Sequence, residues 1–150
     1  MRNVDRGPAR VLRRFILSVL PVIAVTAMLT GSTSGQQTRA FASTPKDFQA
    51  FYTKFRSAVT RGDKQAVAAM TKFPFKYGFD AGDEGTFSQT QFIRRYNDIL
   101  GGGRKVFTRA RPRFYVEAGA YSLSDPDDAS TYVFKKVNGS YRFTGYFSEP

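Results

Sequence analysis

TPKDFQAFYTKFRSAVTRGD, Thr44 to Asp63, is the stretch on which the fold turns. Phe48, Phe51, Tyr52, Phe55, Ala58 and Val59 recur at steps of three and four, so they share one face of a helix. Lys46, Gln49, Lys54, Arg56 and Arg61 fall on the other face. Thr44 is placed to cap this helix, Pro45 suits its first position, and Asp47 brings a carboxylate to the unpaired N–H groups of the first turn. Gly62 is a natural stop, and Asp63 starts a shorter helix running to Met70. The period then drops to two. Phe73, Phe75, Tyr77 and Phe79 alternate with Pro74, Lys76 and Gly78, which predicts a strand with one aromatic face, starting at Pro74 or lying at an edge. Helix giving way to strand predicts an α+β fold.

Downstream, Asp80 to Gly85 reads as an acidic loop. Ser88 with Gln91 forms a capping box, opening a third helix whose buried side is Phe92, Ile93, Tyr96, Ile99 and Leu100 and which ends at Gly101 to Gly103. Lys105 to Glu117 alternates and predicts a strand. Val106, Thr108, Ala110, Phe114 and Val116 take one face, and Lys105, Phe107, Arg109, Arg111, Arg113 and Tyr115 the other, with a break at Pro112. Ala118 to Ser124 continues as a second strand, Asp125 to Asp128 turns, and Thr131 to Val137 with Tyr141 to Phe147 flank Asn138-Gly139, a strong hairpin signal.

Upstream the text changes character. Arg2, Arg6, Arg10, Arg13 and Arg14 precede an apolar run, Phe15 to Leu29, interrupted by Ser18, Pro21 and Thr26. A small, polar stretch follows and reaches Ala40-Phe41-Ala42, the small-x-small pattern of a cleavage site. Residues 1–42 are therefore expected to be a cleavable secretory signal and linker, cut after Ala42, and residues 43–150 a single exported domain, periplasmic or extracellular. The run is short against the ~20 apolar residues of a spanning helix, so no membrane span is expected in the mature form, with an uncleaved anchor as the competing reading. Arg13-Arg14 also loosely fits a twin-arginine signal, with the general secretory route as the other.

The whole chain carries a net charge of +11. Residues 1–42 hold six of its 23 Lys and Arg and one of its 12 Asp and Glu, which leaves the mature domain at +6. Neither cysteine nor histidine occurs. That excludes a disulfide framework, a thiol nucleophile, a histidine base and an ordinary zinc site, and no cofactor or metal is expected. Any catalysis would rest on carboxylates, Tyr, Lys or Arg.

Phe51-x-x-x-Phe55-x-x-Ala58-Val59, Gly62-Asp63, Val67-Ala68, Phe73-Pro74-Phe75 and Phe92-x-x-x-Tyr96 occur in the order helix, helix, strand, helix, before a sheet that closes with a hairpin. This resembles the nuclear transport factor 2-like superfamily, and within it a group of exported bacterial proteins with no assigned activity. The resemblance implies a cone-shaped fold, a bent antiparallel sheet wrapped about the first helix. It implies a pocket in the cone, lined here by Tyr52, Phe55, Phe75, Tyr77 and Tyr96. Enzymes of that superfamily use an acidic or histidine base and a Tyr donor. The carry-over is Tyr52 as donor and Asp80 as base, each set against a bland alternative, a core tyrosine and a turn residue. Members often pair through the sheet, which implies a homodimer as one option.

Arg109, Arg111 and Arg113 on one strand face form a stripe that would bind anionic polymer or lipid, against the plainer reading of a solvated face. No nucleic-acid motif is present, and neither acidic loop has the calcium-loop pattern. Three functions remain. The first is a non-enzymatic exported binding module, taking a small apolar ligand in the cone or an envelope protein on its sheet. The second is an isomerase- or dehydratase-type enzyme using a carboxylate and Tyr, and the third an envelope-surface protein acting through the arginines.

Overall fold

A computed structural model describes residues 37–79, 82–101 and 104–148, all within the unit Thr33–Pro150. Strand β1 (Gln37–Ala40) and a 3-10 turn (Phe41–Ser43) lead into helices α1 (Lys46–Arg61) and α2 (Lys64–Ala69). Strands β2 (Thr71–Phe79) and β3 (Asp83–Phe87) follow, then three short helices, α3 (Gln89–Arg94), α4 (Tyr96–Leu100) and α5 (Arg104–Thr108). Strands β4 (Arg113–Glu117), β5 (Ala120–Asp125), β6 (Ser130–Val137) and β7 (Ser140–Ser148) complete the fold. The expected α+β architecture is present: one seven-stranded sheet in the order β1-β4-β5-β6-β7-β2-β3, antiparallel throughout except where β2 runs parallel to β7.

The sheet bends around α1. Ring centroids of Phe114, Tyr121, Phe134 and Tyr141, from the four successive strands β4 to β7, lie 5.1, 4.1, 6.2 and 5.0 Å from that of Phe48. Neighbouring strands are ~4.8 Å apart, so a flat sheet would carry such rings too far apart for one side chain to meet all four.

Local signals act as read at several points. Gly62 takes the left-handed conformation (φ +70°) that ends α1, and the Asp63 carboxylate accepts from Ala66 N at the start of α2. The Ser88–Gln91 capping box is formed in both directions. Asn138 and Gly139 (φ +49° and +81°) turn the β6–β7 hairpin.

Other expectations are corrected. The Thr44 hydroxyl does not cap α1 but donates to Phe41 O at 2.7 Å. Pro74 lies inside β2, which is an interior strand; pairing to β7 lapses between Thr71 and Lys76, and that irregularity accommodates a residue with no N–H to give. The second half of the expected acidic loop, from Asp83, is strand, because Asp83–Phe87 pairs with Phe79–Phe75 along an exposed edge. The first part of the predicted strand from Lys105 is helix α5. Its consecutive residues Val106 and Phe107 are both buried, and Thr108 Oγ1 returns to Lys105 O at 2.8 Å, neither of which a strand with one solvated face allows. Finally, Gln37–Ala40, assigned by sequence to the leader and linker, pairs antiparallel with β4.

Candidate functional site

Most side chains expected to line a pocket pack in the core, while Tyr52 also borders a recess of about 340 Å³ with Phe41, Arg56 and Thr108. Tyr52, Phe55, Phe75 and Tyr96 are buried, and Tyr77 is half-buried, stacked on Phe87 at 4.0 Å. Phe134 has six ring neighbours, Phe48, Phe51, Tyr52, Phe55, Phe114 and Phe143, at 5.2 to 6.5 Å. Aromatic rings therefore occupy the space between α1 and the sheet, and each of the expected lining residues packs on other rings.

The Tyr52 ring is enclosed by Phe41 at 5.5 Å and Phe114 at 4.9 Å, edge-on to the latter. Its hydroxyl, like that of Tyr96, is buried with no hydrogen-bond partner among the described residues. Burial pushes the Tyr52 phenol well above the ordinary tyrosine range, with Arg56 and Arg109 pulling weakly the other way. Such a group is a poor proton donor. Asp80, its expected partner, lies outside the described residues.

The arginine stripe is not formed. Arg109 follows α5 instead of sitting on a strand, and it turns onto the buried Asp125 carboxylate at 3.0 Å and Ser124 O at 3.5 Å. Arg111 lies in a bend, and only Arg113 is on β4, opposite Ala40. The Asp125–Asp128 turn is consumed internally, since Asp125 also accepts from Asp127 N and Asp128 from Ser130 N. No group of acidic residues among the described residues is arranged to hold a metal ion.

A larger recess lies on the sheet's other face. In β2, Phe75 and Tyr77 point to the helices, which sends Lys72, Lys76 and Gly78 outward. Lys76 is in register with Gly145, and Gly78 with Phe147. The ring of Phe147 lies flat over this backbone, for a Cβ added at Gly78 or Gly145 would come within 3.0 Å of it. Phe147 and Tyr115, 39% and 45% accessible, are the exposed large apolar residues of the described chain, and both belong to this outward face.

Beside Phe147 is this recess of about 630 Å³, lined by Phe147, Val133 and Val137 with Lys72, Lys76 and Lys135 around it. The ion pairs of the described residues join Arg95 to Asp98, Arg109 to Asp125 and Asp127, and Lys136 to Asp47; none takes Lys72, Lys76 or Lys135. Lys136 also borders the recess, but its charge is paired. Its ammonium hydrogen-bonds Asp47 at 2.8 Å, which holds that carboxyl below its usual range.

In fold, the chain is similar to nuclear transport factor 2-like proteins. A protein of that type and of unknown function from Shewanella oneidensis MR-1 matches at 12% identity over 69% of this chain and 97% of that one, with a TM-score of 0.40. Another from Pseudomonas putida KT2440 matches at 7% identity over 77% and 89%, with a TM-score of 0.41. An uncharacterised protein with a cystatin-like fold from Caulobacter vibrioides matches at 13% identity over 69% and 86%, with a TM-score of 0.40. No protein-family profile and no curated protein matches the chain. Likeness at these identities is one of fold and transfers no residue role.

The lysine recess escaped the sequence reading, though half its signal was there. The alternation Lys72-x-Pro74-x-Lys76 opposite Phe73, Phe75 and Tyr77 marks an outward basic row. That Lys135 of β6 joins it depends on β7 lying between β2 and β6. Among the described residues no helix is long and apolar enough to cross a membrane.

Proposed function

We propose that this chain is an exported, non-catalytic binding module that holds an amphipathic anion on the outward face of its sheet. The recess bounded by Phe147 and ringed by Lys72, Lys76 and Lys135 carries the reading. An apolar floor rewards a hydrocarbon or aromatic body, and three ammonium groups without carboxylate partners among the described residues favour a negative head. The filled core and the absence of histidine and cysteine take support from the enzymatic alternative. Export rests on the arginine-rich start and apolar run of residues 2–29.

Calorimetric titration of dodecanoate, kept below its micelle concentration, tests this against dodecyltrimethylammonium, which has the same tail and the opposite charge. Dodecanoate is expected to bind and the cation not, and Lys76→Gln to weaken binding by about 1.4- to 5-fold, since an exposed ion pair contributes ~0.2–1 kcal/mol. Equal binding of both amphiphiles, or indifference to Lys76→Gln, overturns the proposal. So does a stable dimer in sedimentation that protects Lys76 and Phe147, because the face would then belong to a second copy.

A further inference from the structure

We infer that processing cuts this chain between Ser32 and Gln37, upstream of Ala42, so that the mature protein keeps Gln37–Ala40 as a strand of its sheet. This rests on the proposed export and adds where the mature chain begins.

Gln37, Thr38, Arg39 and Ala40 stand opposite Val116, Tyr115, Phe114 and Arg113 along the outer edge of β4. Phe41 continues the attachment. Its N–H donates to Pro112 O at 3.1 Å, and its ring packs on Tyr52 and Phe114 at 5.5 and 6.3 Å. The Phe41 carbonyl receives both the N–H and the hydroxyl of Thr44, at 3.0 and 2.7 Å. Gln49 Nε2 of α1 donates to Ala42 O at 3.3 Å and to Thr44 O at 2.7 Å.

The Ala42–Ser43 bond thus lies inside a hydrogen-bonded turn that ties strand to helix. A cut there removes Phe41 from the Tyr52 ring, strips the acceptor from Thr44 and exposes the edge of β4 to pairing with other chains. A cut before Gln37 removes none of these contacts.

The sequence supplies sites in the right place. A signal peptidase reads small residues at the first and third positions before the bond it hydrolyses, just beyond the apolar run. Thr30-Gly31-Ser32 and Ser32-Thr33-Ser34 meet that need, their last residues three and five positions after Leu29, whereas Ala42 lies thirteen after it. Water adds across the peptide bond, leaving a carboxylate on Ser32 or Ser34 and a new amine on Thr33 or Gly35.

The test is to express the full chain in a bacterial host, fractionate the cells, and read the N-terminus by Edman degradation and intact mass. The exported protein is expected to begin between Thr33 and Gln37. Ser32→Leu with Ser34→Leu moves or stops the cut, and Ala42→Leu leaves it in place. An exported protein beginning at Ser43 overturns the inference while leaving export standing. An uncut chain in the cytoplasm overturns export and the inference with it, and an uncut chain in the membrane fraction overturns the inference in favour of a retained anchor.

Discussion

Two buried phenols set the terms at the scale of single residues. Tyr52 and Tyr96 each bury a hydroxyl with no partner among the described residues. An unsatisfied buried donor costs ~1–3 kcal/mol, so Tyr52→Phe and Tyr96→Phe are each expected to raise stability by about 1 kcal/mol in urea unfolding. A loss of stability would instead reveal an acceptor for the phenol. Asp125 behaves in the opposite way. Its buried carboxylate takes Arg109 and the Asp127 N–H, so Asp125→Ala should cost ~1–3 kcal/mol by the same measurement. Periodicity placed Tyr52 on the inner face correctly, but periodicity reports a direction and not how much space remains around the hydroxyl.

Among the elements, what was legible was local. The α1 stripe, the Ser88–Gln91 box and the Asn138-Gly139 turn are each decided within a few residues, and each formed as read. Elements whose identity depends on a distant partner were missed. Strand β3 is polar because it is an edge, and its alternation has nothing apolar to display on four of its five positions. Helix α5 hides behind the alternation of Val106, Thr108 and Ala110, which the burial of Phe107 against Phe55 and Tyr132 overrides. Strand β1 lies in a stretch that composition assigns to a leader. Its contribution is measurable: a domain starting at Ser43 should unfold at lower urea concentration than one starting at Gln37, by ~1–2 kcal/mol for the half-buried Phe41 ring alone. Equal midpoints would show that the strand adds nothing.

For the whole molecule, stability is concentrated in one aromatic interior. Phe134→Ala removes a ring with six ring neighbours and should cost ~3–5 kcal/mol, a large share of the ~5–15 kcal/mol typical of a domain. The same interior governs the alkaline limit. Burial raises the phenols of Tyr52 and Tyr132, and burial with the neighbouring Tyr121 raises Tyr141 to about 12. The folded state therefore holds these protons more tightly than the unfolded chain, whose tyrosines titrate near 10. The associated stability is complete below pH 10 and is lost as pH rises from there through 12. A urea midpoint that stays level across that window would contradict the burial of these rings.

The parallel pairing of β2 with β7 joins residues about seventy positions apart, Thr71 with Phe143 and Gly78 with Phe147. Strand β2 has no partner on that side until the last strand has left the ribosome, which at ~5–20 residues per second is several seconds after β2 itself emerges. Through that interval α1 and the Phe-rich strand have no closed sheet to fold against. A topology that joins the middle of the chain to its end is a timer: the sheet closes on this side only when the final residues have been made.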